Sequence, residues 1–291
     1  MRYSIVIPAR NAEKTIARAV RSAVAQTFAD FEVIVVVNDT TDSTLRVLSS
    51  FRDDRIRVVQ ARDRGRSRAR NLGLDTAQGD YVLFLDADDE LDPRKLANTE
   101  MCLAASPTCT AVQGGTEVRG EDGPPHVIPP YSSHDFYDKL LIQNFIQINS
   151  MAISRGSAAR FDVDMEHSED WLFWLRSLAG RSICSYPHTD AFVYRHVDNT
   201  SLDVTVMRAS ELICRLDFWN APSATRLGRL KRSVLMAFSI ATYAGIESRA
   251  PIEGRLAEHS TARWFIHHLR RRPRLRELVH TFLARAMKVT N

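Results

Sequence analysis

Three groups of residues have the types and spacing to do chemistry: Asp86-Ala87-Asp88-Asp89, the pair Glu169-Asp170, and Arg66, Arg68 and Arg70 just upstream of the first group. The acidic run follows five apolar residues, Tyr81 to Leu85, too few for a free-standing helix and best read as a strand buried on both faces. In open α/β sheets the ligand crevice lies outside the carboxyl ends of the strands. Carboxylates gathered there repel one another unless a cation sits among them, and hard oxygen ligands suit Mg²⁺ or Mn²⁺. The competing reading is that Asp88 or Asp89 only caps a helix starting near Pro93. The three arginines suggest that an anion is expected nearby, although any one of them could belong to a solvated helix face. Glu169 and Asp170 open a helix whose Trp171, Leu172, Leu175 and Leu178 are apolar, and the helix dipole alone favours acids in a first turn.

The elements that must position these groups alternate. Tyr3 to Pro8 reads as a strand, followed by the polar loop Ala9, Arg10, Asn11. From Ala12, Ile16, Val20 and Val24 recur every four residues as one stripe of an amphipathic helix ending near Phe28. Phe31 to Val37 is a second strand ending in Asn38, Asp39, Thr40, Thr41, Asp42. A short helix through Leu45 and Leu48 and a third strand, Ile56 to Gln60, follow. Arg66 to Ala77 is a helix, and Tyr81 to Leu85 the fourth strand. Strand–helix alternation of this kind predicts a parallel, doubly wound α/β sheet. Beyond it, Pro93 to Ala105 reads as a helix, Thr110 to Gln113 and Thr116 to Arg119 as a strand pair around Gly114 and Gly115, and Glu121 to Pro130 as a loop over the crevice. His134 to Phe145 is expected to be helical. Ile148 to Ser154, Ile183 to Tyr186 and Ala191 to Tyr194 are expected strands, the last leading to Arg195 and His196. From Leu202 only helical patterns remain, through Val206 to Trp219, Leu227 to Tyr243, Ile252 to Leu269 and Arg274 to Met287. The division expected is residues 1–201 as the α/β body and 202–291 as an α-helical appendage.

Composition is ordinary for a globular chain of 291 residues, 44% hydrophobic and 25% charged. The net charge of +4 is uneven: residues 202–291 carry 16 Lys or Arg against 7 Asp or Glu, hence +9, leaving −5 for the rest. A mildly acidic body argues against nucleic acid as its partner, while the basic tail could meet an anionic surface or simply be a solvated helix face. Cys102, Cys109, Cys184 and Cys214 share no short metal-ligand spacing and read as small buried residues of a reducing compartment. SIVIP starts at residue 4 and breaks at Pro8, so no signal peptide is read, and no apolar run nears the roughly 20 residues a bilayer span needs. A cytoplasmic protein is expected, at most resting on the inner face of a membrane through its basic helices, or using them for a homodimer contact.

Three loops converge on the crevice: that after the first strand, Asp39 after the second, and Asp86 to Asp88 after the fourth. A nucleotide suits them, with a carboxylate for base or ribose and a cation for the diphosphate. No GxGxxG follows a strand and no GxxxxGK[ST] occurs, which argues against dinucleotide oxidoreductases and P-loop enzymes. A divalent cation held by the acidic loop is the alternative to a backbone phosphate nest.

The segments SIVIPARNAEKTIARAVRSAVAQTFADFEVIVVVND, GRSRARNLGLDTAQGDYVLFLDADDELDPRKL, SEDWLFWLR and YRHVDNTSL, in this order, resemble a family 2 glycosyltransferase of the GT-A fold over roughly residues 3 to 201. The resemblance implies an inverting transferase using a nucleotide-diphosphate sugar, most plainly a UDP-sugar, and Mn²⁺ or Mg²⁺. It implies that Asp39 contacts the nucleobase, that Pro8, Ala9 and Asn11 line the nucleotide pocket, and that Arg70 sits by the nucleotide. Asp86-Ala87-Asp88 matches the family's DXD motif, with Asp88 as metal ligand and Asp86 facing ribose or metal-bound water. By the same match Asp170 is the catalytic base, and His196 either completes the metal site or is a surface histidine. Glu169 and Trp171 are candidates for acceptor or sugar contact, with Trp171 and Trp174 either a stacking surface or core. The second loop departs from the usual DDGSTD, reading Asn38-Asp39-Thr40-Thr41-Asp42, which puts the ribose contacts in question. The acceptor is open among saccharides, lipid-linked molecules and natural products. A retaining transferase, a nucleotidyltransferase and a non-catalytic binding module are the alternatives. The first is disfavoured by Asp170 as a base and the second by the lack of a Gly-rich, Lys-containing loop after the first strand. A binding module would not need Asp170 beside an intact metal loop.

Overall fold

A computed structural model of the chain describes residues 2–120, 123–165, 167–195, 204–218, 226–244 and 259–290. They fall into two compact units: residues 1–132, 146–163 and 176–199, and residues 133–145, 164–175 and 200–291. The units are interleaved along the chain.

The first unit is built on a nine-stranded sheet. Its strands are β1 (Tyr3–Ala9), β2 (Phe31–Asn38), β3 (Ile56–Ala61), β4 (Tyr81–Phe84), β5 (Glu90–Leu91), β6 (Ala111–Gly120), β7 (His126–Ile128), β8 (Met151–Ser154) and β9 (Ile183–Arg195). The order is β3-β2-β1-β4-β8-β6-β9-β5, with β7 on β6. The first four strands are parallel, Val6 lying opposite both Ile34 and Phe84, so their carboxyl ends share one edge. Every residue of β1, β2 and β4 is buried, as expected of strands covered on both faces. On one face α1 (Ile16–Val24) buries Ile16, Ala19, Val20 and Ala23, at the helical spacing read from the sequence. α3 (Arg66–Thr76) packs against β1 and β2. There Gly73 lies so close to Val6 that a Cβ would overlap the valine methyl. α2 (Thr44–Leu48) and α4 (Lys95–Ala105) complete the helices of the alternating half.

The rest of the sheet corrects several expectations. β8 is antiparallel to β4 and to β6, and β5 to β9, so the sheet is mixed. The strand pair expected around Gly114 and Gly115 is one strand, β6, lying parallel to β9 with the register shifting at these glycines. Gly114 faces the Asp190 carboxylate and the Tyr186 ring with no room for a side chain. The two late strands are likewise one, β9. The expected loop from Glu121 to Pro130 contains β7, and Ile148 to Ser150 precede β8 in a turn. Cys109 and Cys184 are joined in a disulfide, overturning their reading as separate reduced residues. The start of β9 beside β6 brings together thiols 75 positions apart in sequence. Cys102 and Cys214 remain free, and burial pushes both thiols up.

The second unit is helical. It contains α5 (Phe136–Leu140), the first turns of α6 (Glu169–Leu178), and α7 (Val204–Asp217), α8 (Arg226–Tyr243), α9 (Ser260–Arg270) and α10 (Pro273–Thr290). The helix expected from His134 to Phe145 is thus only five residues long. Of the helix expected from Ile252 to Leu269, residues 252–258 lie outside the described residues. No helix among the described residues is long and apolar enough to cross a membrane.

Candidate active site

At the carboxyl edge of the parallel strands, the loops after β1 and β2 are laced together. Asn11 Oδ1 accepts from the Thr41 amide at 2.9 Å, the Glu13 amide donates to Asp42 at 2.9 Å, and Glu13 accepts from the Ser43 amide at 2.9 Å. The Ala12 amide donates to the Thr44 hydroxyl at 2.8 Å, and that hydroxyl donates to Asp42 at 2.6 Å. Burial pushes the Asp42 carboxyl up, but the donors from Thr44 and Glu13 outweigh it and hold the group below its ordinary range. Asn11 and Asp39 both take left-handed backbone, with φ of 47° and 46°. Asn and Asp tolerate this region better than other non-glycine residues, and such residues gather at functional loops.

This conformation presents the half-exposed Asp39 carboxylate between Arg10 and Arg64, at 3.6 and 3.7 Å. Asn38, standing where the resemblance leads one to expect Asp, is buried and donates its amide to the Gly65 carbonyl at 2.9 Å. A carboxylate could not make that bond, since an ionised Asp only accepts. The departure from DDGSTD therefore has a local reason: Asn38 ties the second loop to the start of α3.

α3 then delivers Arg70. Of the three arginines, Arg66 and Arg68 are exposed, whereas Arg70 is 1% exposed and donates to Asp86 Oδ1 at 2.7 Å, its guanidinium lying 5.2 Å from the Phe161 ring. Burial pushes the Asp86 carboxyl up, but Arg70 and Arg66 more than offset this and hold it below its usual value. Arg70 thus reaches the site through Asp86, whose carboxylate it keeps charged and oriented.

The other two acids of the turn divide the work. Asp88 is half-buried, and its backbone carbonyl accepts from Arg18. The same guanidinium pairs with Glu90 at 3.1 Å and lies 3.8 Å from the Tyr194 ring. Asp89 points inward, 4% exposed, accepting from the Tyr194 amide at 3.0 Å and from the Asn149 amide at 3.3 Å. Burial, and then the charges of Asp86 and Asp88, push its carboxyl well above the ordinary range. Neither Asp88 nor Asp89 caps α4, as the competing reading had it. α4 starts after Arg94 without a side-chain cap, and the Asp92 carboxylate accepts from the Arg94 amide at 2.8 Å just ahead of it. Asn149, Arg18 and Tyr194 were not singled out in the sequence, because their partners are distant along the chain.

The residues fit a divalent cation in kind. Asp86 and Asp88 supply hard carboxylate oxygens two residues apart just beyond β4, the donor type such a cation takes. No group of three or more potential ligands is assembled among the described residues. Mg²⁺-type sites characteristically use one or two carboxylates and complete their shell with substrate phosphates and water. His196 lies outside the described residues. Pro8 and Ala9 are the last residues of β1, at the same strand edge as Asp39 and Asp86.

The second unit holds Glu169, Asp170 and Trp171. Ser168, with φ of 56°, turns the chain into α6, and its carbonyl accepts from the Leu172 amide at 3.1 Å. Asp170 is half-buried, and its Oδ2 accepts from the Asn144 amide at 2.9 Å. Glu169 is buried. Trp171 is 2% exposed, donates its indole N–H to the Leu140 carbonyl at 2.7 Å and lies 5.1 Å from the Arg215 guanidinium. Trp174 is fully buried. The stacking-surface reading of both rings is therefore corrected: they are core, as helical spacing on an inward face commonly makes them.

The chain is similar to known proteins in sequence and in fold. Over 183 residues the chain is 29% identical to UDP-Glc:alpha-D-GlcNAc-diphosphoundecaprenol beta-1,3-glucosyltransferase WfgD of Escherichia coli, covering 62% of this chain and 71% of that one. The fold resembles TarS 1–349 of Staphylococcus aureus in complex with UDP-GlcNAc, with a TM-score of 0.63, 17% identity, and coverage of 85% of this chain and 74% of that one. It also resembles the mannosyltransferase PcManGT of Pyrobaculum calidifontis in complex with GDP-Man and Mn²⁺, with a TM-score of 0.59, 19% identity, and coverage of 97% and 84%. These structures share the GT-A architecture of a mixed α/β sheet flanked by helices. The family model for glycosyl transferase family 2 matches residues 4–167, more than half of the chain, and the protein belongs to that family.

Proposed function

We propose that the protein transfers a sugar from a nucleoside-diphosphate sugar, a UDP-sugar first of all, to an acceptor hydroxyl with inversion at the anomeric carbon. The observation that carries the reading is the charge arrangement at the strand ends: Asp39 set between Arg10 and Arg64, and Asp86 locked by buried Arg70 beside Asp88. Asp39 would accept from the nucleobase, with Pro8, Ala9 and Asn11 beside it, and Asp86 would face the ribose. Asp88, with Asp86 directly or through water, would hold Mn²⁺ or Mg²⁺. When bound, such a cation neutralises charge on the departing diphosphate.

Asp170 is the general base in this reading. The acceptor oxygen bonds to the anomeric carbon, the bond from that carbon to the diphosphate oxygen breaks, and the acceptor proton passes to the Asp170 carboxylate. Asn144 holds one oxygen of that carboxylate and so limits its rotation. Assistance of this kind is worth about 10² to 10⁴ in rate. Residues 1–201 carry the donor chemistry and residues 202–291 contribute to acceptor choice. The WfgD relative names a lipid-linked sugar, which favours a lipid-linked acceptor over a free saccharide or natural product here.

A thermal-shift screen of UDP-, GDP- and dTDP-sugars with and without Mn²⁺ tests the donor. A ligand at a hundred times its Kd stabilises the native state by about 2.7 kcal/mol, so a UDP-sugar should raise the melting temperature, more so with Mn²⁺. Failure of every nucleotide sugar to shift the melt would overturn the proposal. The anomeric configuration of the product tests inversion.

A further inference from the structure

α9 shows one side to its own unit and a chemically different side to solvent. Ala262, Ile266 and Leu269 are buried at helical spacing. On the opposite side Trp264 is 59% exposed, and Phe265 on its flank is 47% exposed. Trp264 stacks on His268 with ring centroids 5.1 Å apart and meets Phe265 edge-on at 5.0 Å, so the three rings form one contiguous aromatic group. Arg271 follows Trp264 by seven residues and so falls on the same outward face. α10 continues the pattern. Arg276 turns inward to the Ala244 carbonyl and His280 to the Phe238 ring, while Leu278 stands 69% exposed beside exposed Arg274. Between residues 259 and 281 there are six arginines and a single carboxylate, Glu277. Large apolar side chains ringed by cations with almost no acids are what a helix lying in a membrane interface presents. Exposed tryptophan suits the same location, where its ring is half in the apolar layer and half among headgroups. A protein partner's apolar patch would not by itself call for so one-sided a charge.

We propose that the outward face of α9 and α10 docks on an anionic phospholipid surface, with Trp264, Phe265 and Leu278 entering the interface and Arg271, Arg272 and Arg274 facing the headgroups. No described helix is long and apolar enough to span a bilayer, so the contact is peripheral. The inference does not depend on the donor, the cation or Asp170, and it can fail while the transferase reading stands.

The test is co-sedimentation of the full chain with vesicles of phosphatidylglycerol and phosphatidylethanolamine, against vesicles of phosphatidylcholine alone. Binding is expected to the anionic vesicles only and to weaken as salt rises. The triple variant R271Q/R272Q/R274Q should bind about a hundredfold more weakly, at roughly fivefold per arginine. W264S/F265S should lose binding as well, while the melt and the nucleotide-sugar shift stay those of the parent. Should that variant misfold, the unaltered chain still answers: Trp264 fluorescence should be quenched by brominated anionic lipid. No sedimentation with anionic vesicles, or equal binding by the triple variant and the parent, overturns the proposal. So does a concentration-dependent dimer that disappears in both variants without any vesicle binding, which would assign the face to a second copy.

Discussion

Lys95 and Asp190 form the most deeply buried ion pair among the described residues of the first unit, and removing one partner should be costly. Their side chains are 0% and 1% exposed, and Nζ lies 2.9 Å from Oδ1. Lys95 also donates to the Ser150 carbonyl at 2.7 Å, and Asn98 donates to the other Asp190 oxygen at 3.0 Å. The pair underlies the acidic turn. The Asp92 amide donates to the Asp190 carbonyl at 3.0 Å, and the next residues of β9, Ala191 and Phe192, pair with β5. In Asp190→Asn the ammonium stays buried without its counter-charge, which costs about 3–5 kcal/mol. For a unit of this size each kcal/mol lowers the melting temperature by about 2–4 °C, so thermal denaturation should fall by roughly 6–20 °C. The double variant Lys95→Met/Asp190→Leu removes both charges, and replacing a buried ion pair by hydrophobic residues of similar volume is often neutral or stabilising. It should therefore melt above Asp190→Asn. The Mn²⁺-dependent part of the nucleotide-sugar shift should shrink in Asp190→Asn, because β5 and the acidic turn lose their anchor. A melt within 2 °C of the parent, or a double variant less stable than Asp190→Asn, would refute the reasoning.

Four further outcomes are expected. Asp88→Ala should abolish transfer and the metal dependence of nucleotide binding; full turnover in EDTA would contradict the assignment. Asp170→Asn should keep donor binding while kcat falls by about 10² to 10⁴, and an unchanged kcat would remove Asp170 from the mechanism. Gly73→Ala drives a methyl into Val6 and should cost about 1–3 kcal/mol in chemical denaturation, with Val6→Ala restoring part of the loss; a neutral Gly73→Ala would mean that α3 does not sit against β1 as described. Reducing the Cys109–Cys184 bond, which closes a loop of about 75 residues, should cost about 2–4 kcal/mol, and a non-reducing peptide map free of that linkage would overturn the pairing.

Much of the parallel-stranded half was legible because its signals are local. The runs at Tyr3, Phe31 and Tyr81 announce buried strands by their own composition, α1 by its 3.6-residue stripe, and the acidic turn by falling where a buried strand must end. The later sheet was harder. Gly114 and Gly115 read as a turn because glycine usually marks one, yet they remain in β6 where the Asp190 carboxylate and Tyr186 ring leave no space for side chains. That reason lives on another strand. Trp171 and Trp174 could be surface or core until Leu140 and its neighbours were placed around Trp171.

Sequence alone determined the residue types, their order and the local periodicities, and with them the strand-end acids and the apolar faces that must be buried. Which acid turns inward, which arginine is spent on a carboxylate and which cysteines meet were decided only by tertiary packing. Asp86, Asp88 and Asp89 are chemically alike and nearly adjacent. Arg70 binds the Asp86 carboxylate, Arg18 the Asp88 backbone carbonyl and Asn149 the Asp89 carboxylate, each from a separate segment. The free energy of a charged group depends on what surrounds it in space, and neighbours in space are not neighbours in sequence.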